Sequence, residues 1–539
     1  MTAWPFFIGD AAADDGYAAC DAYLPKTRKV LGQNVGPESC LMRTTELSYM
    51  GRDYVRIDMG LDGTAEGYVK EEGPYHEYLT NVPDLTFAQA ATPGEPQLAI
   101  ARYERLRGSA ILLVYPKARA DWNGKLWVTA HGRGRSLRNG RLRIWDRYYD
   151  PDDPVAAFDK IDRVMFAKGY ALAKTLRTTE QDIGEVIAQL EDGSIVDFTA
   201  FNDNAAIIKD FALIAQNALQ KRLGRKPTRT YLYGHSAGAR IARGLNYTRG
   251  LNSDARRQPI FDGYLLDDSA TGLWLPIRMQ DGEDVLLVTD EDKAAFRPQV
   301  EFVHQMYTKV WDRAPDRPDW VADAYLVNKR HNAKILLDKG LGDRFRMYEI
   351  RSMSHDGGEG LPPDNRLGKV RVLDVSLIIG GAIDKLDALV QGTSVPLASK
   401  SDWDQIGDVD ADGGIDNPAI IYPEVACPLG VFYPYPQSGS YRTAYAAFTG
   451  DGVEPLDEAR VFVDMNRNGV WDFRETPTQA WQRLGLLQPG EKLTHPRYVA
   501  CVEDAVKVMQ DEGFFTATTA ARYVNEARAQ SLDPKALVE

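Results

Sequence analysis

The stretch with the clearest chemistry is Thr230–Leu245, which reads Thr-Tyr-Leu-Tyr-Gly-His-Ser-Ala-Gly-Ala-Arg-Ile-Ala-Arg-Gly-Leu. A β-prone run precedes Gly234 and a helix-like run follows Gly238, so Gly-x-Ser-x-Gly lies between a predicted strand and a predicted helix. So tight a turn requires small residues two before and two after the serine, and both are glycine. The pattern predicts a nucleophile elbow with the Oγ of Ser236 exposed, and the helix N-terminus would favour developing negative charge there.

A second glycine-rich run follows an earlier apolar segment. Leu126–Ala130 predicts a buried strand, and it leads into His131-Gly-Arg133-Gly-Arg135. His-Gly-x-Gly after a central strand is the sequence form of an oxyanion-hole loop. We expect the backbone N–H groups of Arg133 and Ala237 to be the two donors, each worth on the order of 10²–10³ in rate.

A nucleophilic serine needs a base, and in this architecture the chain order is serine, then an acid, then histidine. Four histidines follow Ser236. His304 and His331 fall in helix-like segments, and His495 lies in a late proline-containing turn. His355 alone comes just after a predicted strand, in a glycine-rich loop. We therefore predict His355 as the base.

The acid that orients the histidine is predicted from its place after a strand. Asp292 follows the predicted strand Asp284–Val288 and is the best-placed carboxylate. Its neighbours, and two residues after the preceding predicted strand, are alternatives. These alternatives are Asp290, Glu291, Asp267 and Asp268.

Basic side chains lie close in sequence to the predicted nucleophile and oxyanion loop. Arg133, Arg135 and Arg240 could bind a carboxylate on the substrate, since guanidinium groups pair well with carboxylates. Pairing with local aspartates is an equal alternative. We predict His131, Arg135 and Arg240 as the substrate-binding residues.

The elements around these motifs alternate between strand and helix. This alternation predicts an α/β fold, a mostly parallel sheet covered by helices. Predicted regions are an N-terminal β-rich part (1–108), the core (109–398) with a helical cap at about 293–343, and an acidic extension (399–539). The predicted strands are Ser109–Tyr115, Leu126–Ala130, Tyr170–Thr175, Thr230–Tyr233, Phe261–Leu266, Asp284–Val288 and Arg344–Ile350. The predicted helices include Val155–Lys168, Asn202–Leu223, Phe302–Gly340 and Val370–Val390.

Residues 401–475 hold fourteen Asp and Glu against four Arg, and the stretch Asp464–Glu475 fits the twelve-residue pattern of a calcium loop. Oxygen ligands fall at positions 1, 3, 5, 9 and 12, with glycine at 6 and a backbone carbonyl at 7. Asp408–Asp416 has only the first half of such a loop. We expect Ca²⁺ to be structural; a turn held by its own hydrogen bonds is the alternative. The predicted ligands are Asp464, Asn466, Asn468, Val470, Asp472 and Glu475.

The composition is that of a globular protein and argues against two classes of partner. The chain has 539 residues, 44% of them hydrophobic and 26% charged, with a formal net charge of −13. Nucleic acids and anionic membranes attract basic surfaces, so we expect neither as a partner. No apolar run reaches the roughly 18 residues of a membrane span. Met1–Asp15 lacks a basic region followed by an apolar core, so no signal peptide is expected there.

The four cysteines form no Cys-x-x-Cys motif, which argues against a zinc or redox site. Cys20–Cys40 and Cys427–Cys501 are the simplest disulfide pairs, and four free thiols fit the sequence equally well. Calcium loops and an even cysteine count favour a secreted or periplasmic location.

Several segments together resemble one family. They are Gly234–Arg240 with Phe261–Gly263, Trp122–Leu126 leading to His131-Gly132, Tyr348–Ile350 with His355, and Leu386–Ser399. From Tyr54 onward, the chain resembles large bacterial α/β-hydrolase-domain proteins distantly related to tannases and feruloyl esterases. The resemblance implies an α/β-hydrolase fold and serine esterase chemistry, with Ser236 as nucleophile and His355 as base.

The prediction is therefore a hydrolase of small-molecule carboxylic esters that needs no organic cofactor. Ser236, His355 and Asp292 form its predicted triad. An amidase or peptidase using the same residues, and a non-catalytic calcium-stabilised binding protein, are the alternatives.

Overall fold

A computed structural model gives the structure of the chain. It describes residues 18–26, 28–30, 33–70, 98–134, 137–138, 141–142, 153–155, 157–177, 186–189, 195–198, 204–247, 252–254, 256–269, 277–280, 283–286, 290–304, 333, 336–351, 353, 357, 373–393, 399–400, 419–429 and 477–532. The chain forms two compact units, Met1–Gln299 and Val300–Glu539. The predicted domain boundaries at residues 108 and 398 are not tested by this division, and they stay predictions.

The described strands, in chain order, are β1 Ala18–Ala19, β2 Arg28–Val30, β3 Gln33–Tyr49, β4 Arg52–Lys70, β5 Leu98–Pro116, β6 Lys125–Gly134, β7 Leu137–Arg138, β8 Arg141–Leu142, β9 Ala171–Arg177, β10 Val186–Gln189, β11 Ile195–Phe198, β12 Arg229–His235, β13 Gly263–Asp267, β14 Ile277–Gln280, β15 Glu283–Leu286, β16 Gln299–His304 and β17 Phe345–Ile350. The described α-helices are α1 Lys160–Ala167, α2 Asn204–Leu223, α3 Ala237–Tyr247, α4 Asp290–Ala295, α5 Ser376–Val390, α6 Pro423–Ala426, α7 Pro477–Arg483, α8 His495–Asp511 and α9 Ala517–Ala529.

In the first unit, one large sheet runs in the order β1-β3-β4-β5-β9-β6-β12-β13. Strands β9, β6, β12 and β13 are parallel, whereas β3, β4 and β5 form an antiparallel meander that joins them through β5 and β9. All of β13, and β12 after its first residue, are buried, as expected for parallel strands with both faces covered. The N-terminal strands and the parallel core therefore share a single sheet.

Local interactions account for the start of α1 and for the position of α2. Helix α1 starts at a capping box in which Asp159 and Asp162 each accept from the other's backbone N–H. It is shorter than the predicted Val155–Lys168, and Gly169 follows its end at φ +78°. Helix α2 matches its prediction, and its Gln216 donates to Thr230 Oγ1 at 3.0 Å, which fastens the helix to β12.

One predicted strand of the parallel core lies in a separate sheet. β15 covers most of the predicted Asp284–Val288, but it pairs antiparallel with β14 in the four-stranded sheet β10-β11-β14-β15 and does not belong to the parallel core. Asp281-Gly282 stands between these two strands, a sequence typical of a two-residue hairpin turn. The strand pair β10-β11 follows β9 in the chain, and the pair β14-β15 follows β13. Each pair therefore comes after the carboxyl end of a strand of the large sheet.

A second correction concerns the segment predicted as the start of a helical cap. Residues 299–304 form β16, and all six are buried. Gln299, Glu301 and His304 are polar residues inside this buried strand. The helix predicted to begin at Phe302 is therefore wrong for residues 302–304, which are extended and buried. Among the described residues, no helix is long and apolar enough to cross a membrane.

The second unit contains β17, helices α5 to α9 and all of β16 except Gln299. β17 and α5 agree with the strand and helix predicted there, although α5 begins at Ser376. Near the end of the chain, α8 and α9 follow each other closely in sequence and pack on each other. Thr516 caps α9 by accepting from the N–H of Thr519 at 3.1 Å.

Both simplest cysteine pairs form disulfides, Cys20–Cys40 and Cys427–Cys501. The second bond joins the end of α6 to α8 across a sequence separation of 74 residues. None of the four cysteines is a free thiol. The structure thus decides between the two alternatives that the sequence left open.

Replacing both Cys427 and Cys501 with serine should lower the free energy of unfolding by about 4 kcal/mol, because closing a long loop removes more entropy from the unfolded chain. Calorimetry of the two proteins measures the difference. Replacing Cys20 and Cys40, only 20 residues apart, is the matched control and should cost about 3 kcal/mol. A larger loss for the shorter loop would contradict this account.

We expect a buried carboxyl group to make the stability of the second unit depend on pH. Glu424 lies in α6, and the Tyr523 hydroxyl donates to its Oε1 at 2.6 Å. Burial raises the pKa of Glu424 to about 7 from an ordinary value of 4.5. Because the folded pKa lies above the unfolded one, the stabilisation is complete below pH 4.5 and is lost as the pH rises through about 7.

Glu424→Gln keeps an acceptor for Tyr523 but cannot ionise. We expect it to be about 3 kcal/mol more stable than the wild type at pH 8 and equal to it at pH 4. Urea unfolding at the two pH values tests this. Glu503→Gln, at an exposed carboxylate paired with Arg528, should change stability by less than about 1 kcal/mol. Destabilisation by Glu424→Gln at pH 8 would count against a neutral buried carboxyl.

Candidate active site

The predicted elbow is present in the first unit. Ser236 connects β12 to α3 with φ +57°, a left-handed conformation that is costly for any residue except glycine. Its N–H donates to the Asp267 carbonyl at 3.1 Å, and its own carbonyl accepts from the Ala239 N–H at 3.1 Å. The strained residue is therefore held on both sides by backbone hydrogen bonds.

The first glycine of the motif is required by the closeness of the turn. A Cβ on Gly234 would lie 2.5 Å from the Gly238 carbonyl oxygen and 2.6 Å from the Ala239 nitrogen. Both are backbone atoms of the same elbow, so the clash could not be relieved by moving a side chain. Ser236 itself is partly exposed, whereas the preceding His235 is buried.

The predicted oxyanion loop ends at the same edge of the sheet. β6 pairs in parallel with β12, and the last pair is Ala130 with Gly234. Against β9, the register shifts between His131 and Gly134, so the intervening residues bulge out of the ladder. Bulges of this kind free backbone N–H groups from a sheet. The segment containing Arg133 therefore leaves the ladder beside the end of β12.

The end of β13 forms a buried polar cluster next to the elbow. The Tyr233 hydroxyl donates to Asp267 Oδ2 at 2.6 Å, and Arg243 donates to the Ser269 hydroxyl at 2.9 Å. All four residues are buried. Asp268 lies between the two acceptors with φ +40°, the second left-handed residue at this edge. Asp267 was predicted only as an alternative acid, and Tyr233, Arg243 and Ser269 were missed.

Sequence alone offered a weak signal for this cluster. Asp267, Asp268 and Ser269 follow an apolar strand in a row, which marks a strand end at the sheet edge that carries Ser236. Tyr233 is an ordinary strand residue in sequence, and its hydroxyl acquires a role only through the pairing of β12 with β13.

The other predicted residues are only partly described. Asp292 and Arg240 lie within α4 and α3, and His131 and Arg133 lie within β6, but the described structure does not extend to the side chains of these four. Arg135 and His355 lie outside the described residues altogether.

Asp292 does not follow a strand of the parallel core, as the prediction required. β15, which covers residues 284–286 of the strand that was expected to precede it, lies in the antiparallel sheet, and Asp292 itself is in α4. The chain after α4 reaches the opposite edge of the large sheet, where Tyr264, near the start of β13, donates its N–H to the Pro298 carbonyl at 2.9 Å. The topological reason for Asp292 is therefore wrong, and its assignment as the acid stays a prediction.

His304 was predicted to lie in a helix, but it is the last residue of β16 and is fully buried. An ideal Cβ at Gly357 would lie 3.4 Å from its Cε1 atom, so it packs beside the chain two residues after His355.

Both predicted calcium loops, with the ligands from Asp464 to Glu475, lie outside the described residues. Within the described ranges, no group of three or more His, Cys, Asp or Glu is arranged to hold a metal ion. Calcium binding stays a prediction.

The fold of the chain follows from its strand order. In the run β5-β9-β6-β12-β13, an antiparallel strand is followed by four parallel ones, and the elbow follows a central strand. This is the arrangement of the α/β-hydrolase fold, in which the elbow raises its residue at the top of the sheet. The predicted fold class is confirmed.

No protein-family model and no curated protein matches the chain. It is similar to the solved structure of carboxyl esterase 2 from the mycorrhizal fungus Tuber melanosporum, at 12% identity over 50% of this chain and 77% of that one, with a TM-score of 0.26. LpqC, a poly(3-hydroxybutyrate) depolymerase from Bordetella parapertussis, is 16% identical over 46% and 81%, with a TM-score of 0.26. A bacterial heroin esterase is 14% identical over 61% and 85%, also with a TM-score of 0.26. These TM-scores are too low to support an argument, so the fold assignment rests on the strand order of this chain. The resemblance to tannases and feruloyl esterases stays a prediction.

Proposed function

We propose that the protein is a serine hydrolase that cleaves carboxylic esters through an acyl-enzyme intermediate. The observation that carries this proposal is Ser236, a non-glycine residue at φ +57° between a buried strand and a helix. Such strain persists only where surrounding structure enforces it, and it concentrates at functional sites. A partly exposed serine raised on this turn is the geometry that nucleophilic attack requires.

In the proposed reaction, the Ser236 Oγ attacks the ester carbonyl carbon while its proton passes to His355. The N–H groups of Arg133 and Ala237 donate to the oxyanion, a role supported by the bulge in β6 and by the position of Ala237 as the first residue of α3. The C–O bond then breaks, and His355 returns the proton to the departing alcohol. Water, deprotonated by His355, releases the carboxylic acid and restores Ser236.

The acid of the triad is proposed from the sequence alone. Asp292 is our first choice, with Asp290 and Glu291 beside it and Asp268 as a further alternative. Asp267 is not among these candidates, because its carboxylate accepts a hydrogen bond from Tyr233. Single Asn or Gln variants at each position identify the acid, since loss of the orienting carboxylate costs about 10⁴-fold in kcat.

We propose a small-molecule ester as substrate and no organic cofactor. His131, Arg135 and Arg240 are the proposed substrate contacts, and the two arginines would favour an ester that carries a carboxylate. Comparing neutral esters with matched carboxylated ones tests this preference.

Covalent labelling tests the proposed function directly. A fluorophosphonate should modify the protein once, and peptide mass spectrometry should place the adduct on Ser236. Ser48→Ala, at an exposed serine, is the control and should label as the wild type does. Labelling at another serine, or none, would refute the proposal.

A substrate panel then separates the alternatives. Short, long and aromatic p-nitrophenyl esters should be hydrolysed, and each should react faster than its matched anilide. Faster cleavage of the amides would indicate an amidase or peptidase. Labelled protein that turns over no substrate would indicate a binding protein.

A further inference from the structure

Asp267 makes two separate hydrogen bonds around the elbow. Its backbone carbonyl accepts from the Ser236 N–H at 3.1 Å, and its Oδ2 accepts from the Tyr233 hydroxyl at 2.6 Å. The side-chain bond runs diagonally across the sheet, since Asp267 is paired in register with His235, two residues beyond Tyr233. One residue of β13 is thus bonded both to Tyr233 in β12 and to the serine on the turn that follows β12.

The pair is well placed to resist movement. Tyr233 is 4% exposed and Asp267 is 1% exposed. The Tyr233 ring stacks on Trp127 of β6, with the ring centroids 5.7 Å apart. A hydroxyl-to-carboxylate bond of this length is strong, and exclusion of water strengthens it further. The hydrogen bond links β12 to β13, and the stacked rings link β12 to β6, so three adjacent strands are connected at the base of the elbow.

We propose that Tyr233 and Asp267 are positioning residues for the nucleophile. Their hydrogen bond fixes the Asp267 backbone, and the Asp267 carbonyl in turn fixes the N–H of Ser236. Neither side chain needs to touch the substrate. The inference rests on the proposed role of Ser236, and it removes Asp267 from the candidate acids of the triad.

The experiment must break the bond without leaving a buried unpaired charge, which would destabilise the fold. Asp267→Asn keeps an oxygen that accepts from Tyr233. The double variant Tyr233→Phe with Asp267→Asn keeps the stacked ring but loses the donor, and it buries no charge. Tyr231→Phe, at another buried tyrosine of β12, is the matched control.

The kcat of each protein is calculated per serine site titrated with fluorophosphonate, so that unfolded protein does not lower the value. We expect Asp267→Asn and the control to keep kcat within about threefold. The double variant should lose about 10–100-fold in kcat with KM unchanged, because a small displacement of a reacting atom costs that much. The rate of phosphonylation of Ser236 should fall in parallel.

Two results would overturn the inference and leave the proposed function intact. A loss of about 10⁴-fold in Asp267→Asn alone would make Asp267 the triad acid. Wild-type kcat per titrated site in the double variant would make the pair purely structural. Failure of the proposed function is distinguishable from both, since the wild type would then carry no label on Ser236.

Discussion

Ser236→Ala should lower kcat for ester hydrolysis by about 10⁵–10⁶-fold, because the acyl-enzyme can no longer form. KM should change little, since the rest of the binding site remains. Stopped assays with purified wild type and variant on one p-nitrophenyl ester measure the effect, and fluorophosphonate labelling should disappear with it. Activity within tenfold of the wild type would mean that the elbow is not the reactive site.

A glycine at the same position separates chemistry from stability. Ser236 occupies φ +57°, a conformation that glycine adopts without strain. Ser236→Gly should therefore be as inactive as the alanine variant but about 1 kcal/mol more stable than the wild type. Urea unfolding of the three proteins measures this. A less stable glycine variant would show that the serine side chain itself stabilises the turn.

Gly234→Ala should destabilise the protein by about 3 kcal/mol and lower kcat/KM by about 100-fold or more. The added Cβ would stand 2.5 Å from the Gly238 carbonyl oxygen, so the elbow must open to accept it. Opening displaces Ser236 from the position set by its backbone hydrogen bonds. Thermal unfolding and steady-state kinetics on the same preparation measure both effects.

Gly342→Ala is the matched control for that substitution. Its added Cβ would meet only the Cδ2 atom of Leu337, at 3.2 Å, and a flexible side chain can move aside. We expect less than about 1 kcal/mol of destabilisation and unchanged kinetics. If Gly234→Ala behaved in the same way, the elbow would be more tolerant than its backbone geometry indicates.

The elbow was predictable because its requirements are local. Two glycines around Ser236, a β-prone run before them and a helix-like run after them determine the turn within nine residues. Helix α2 was predictable for a similar reason, since its apolar periodicity spans 20 residues. The α/β fold class follows from the order of such segments along the chain.

The strands after β13 were harder to predict. β15 has an ordinary strand sequence, and nothing within it tells whether it pairs with the parallel core or with the hairpin strand before it. β16 carries Glu301 and His304, and its assignment to a helix failed because burial of polar residues depends on neighbours that are distant in sequence. The choice of Asp292 as the triad acid depended on β15, so the placement of β15 in the antiparallel sheet removed the reason for that choice.

By itself, the sequence determined the elbow turn around Ser236 and the α/β class, since steric limits and periodicity act over short stretches of chain. Only the tertiary structure decided which cysteines pair, which strands enter the large sheet, and that the Tyr233 hydroxyl meets the Asp267 carboxylate. Those outcomes depend on the register and burial of segments far apart in the chain, because a hydrogen bond or a disulfide forms only where the fold brings both partners together.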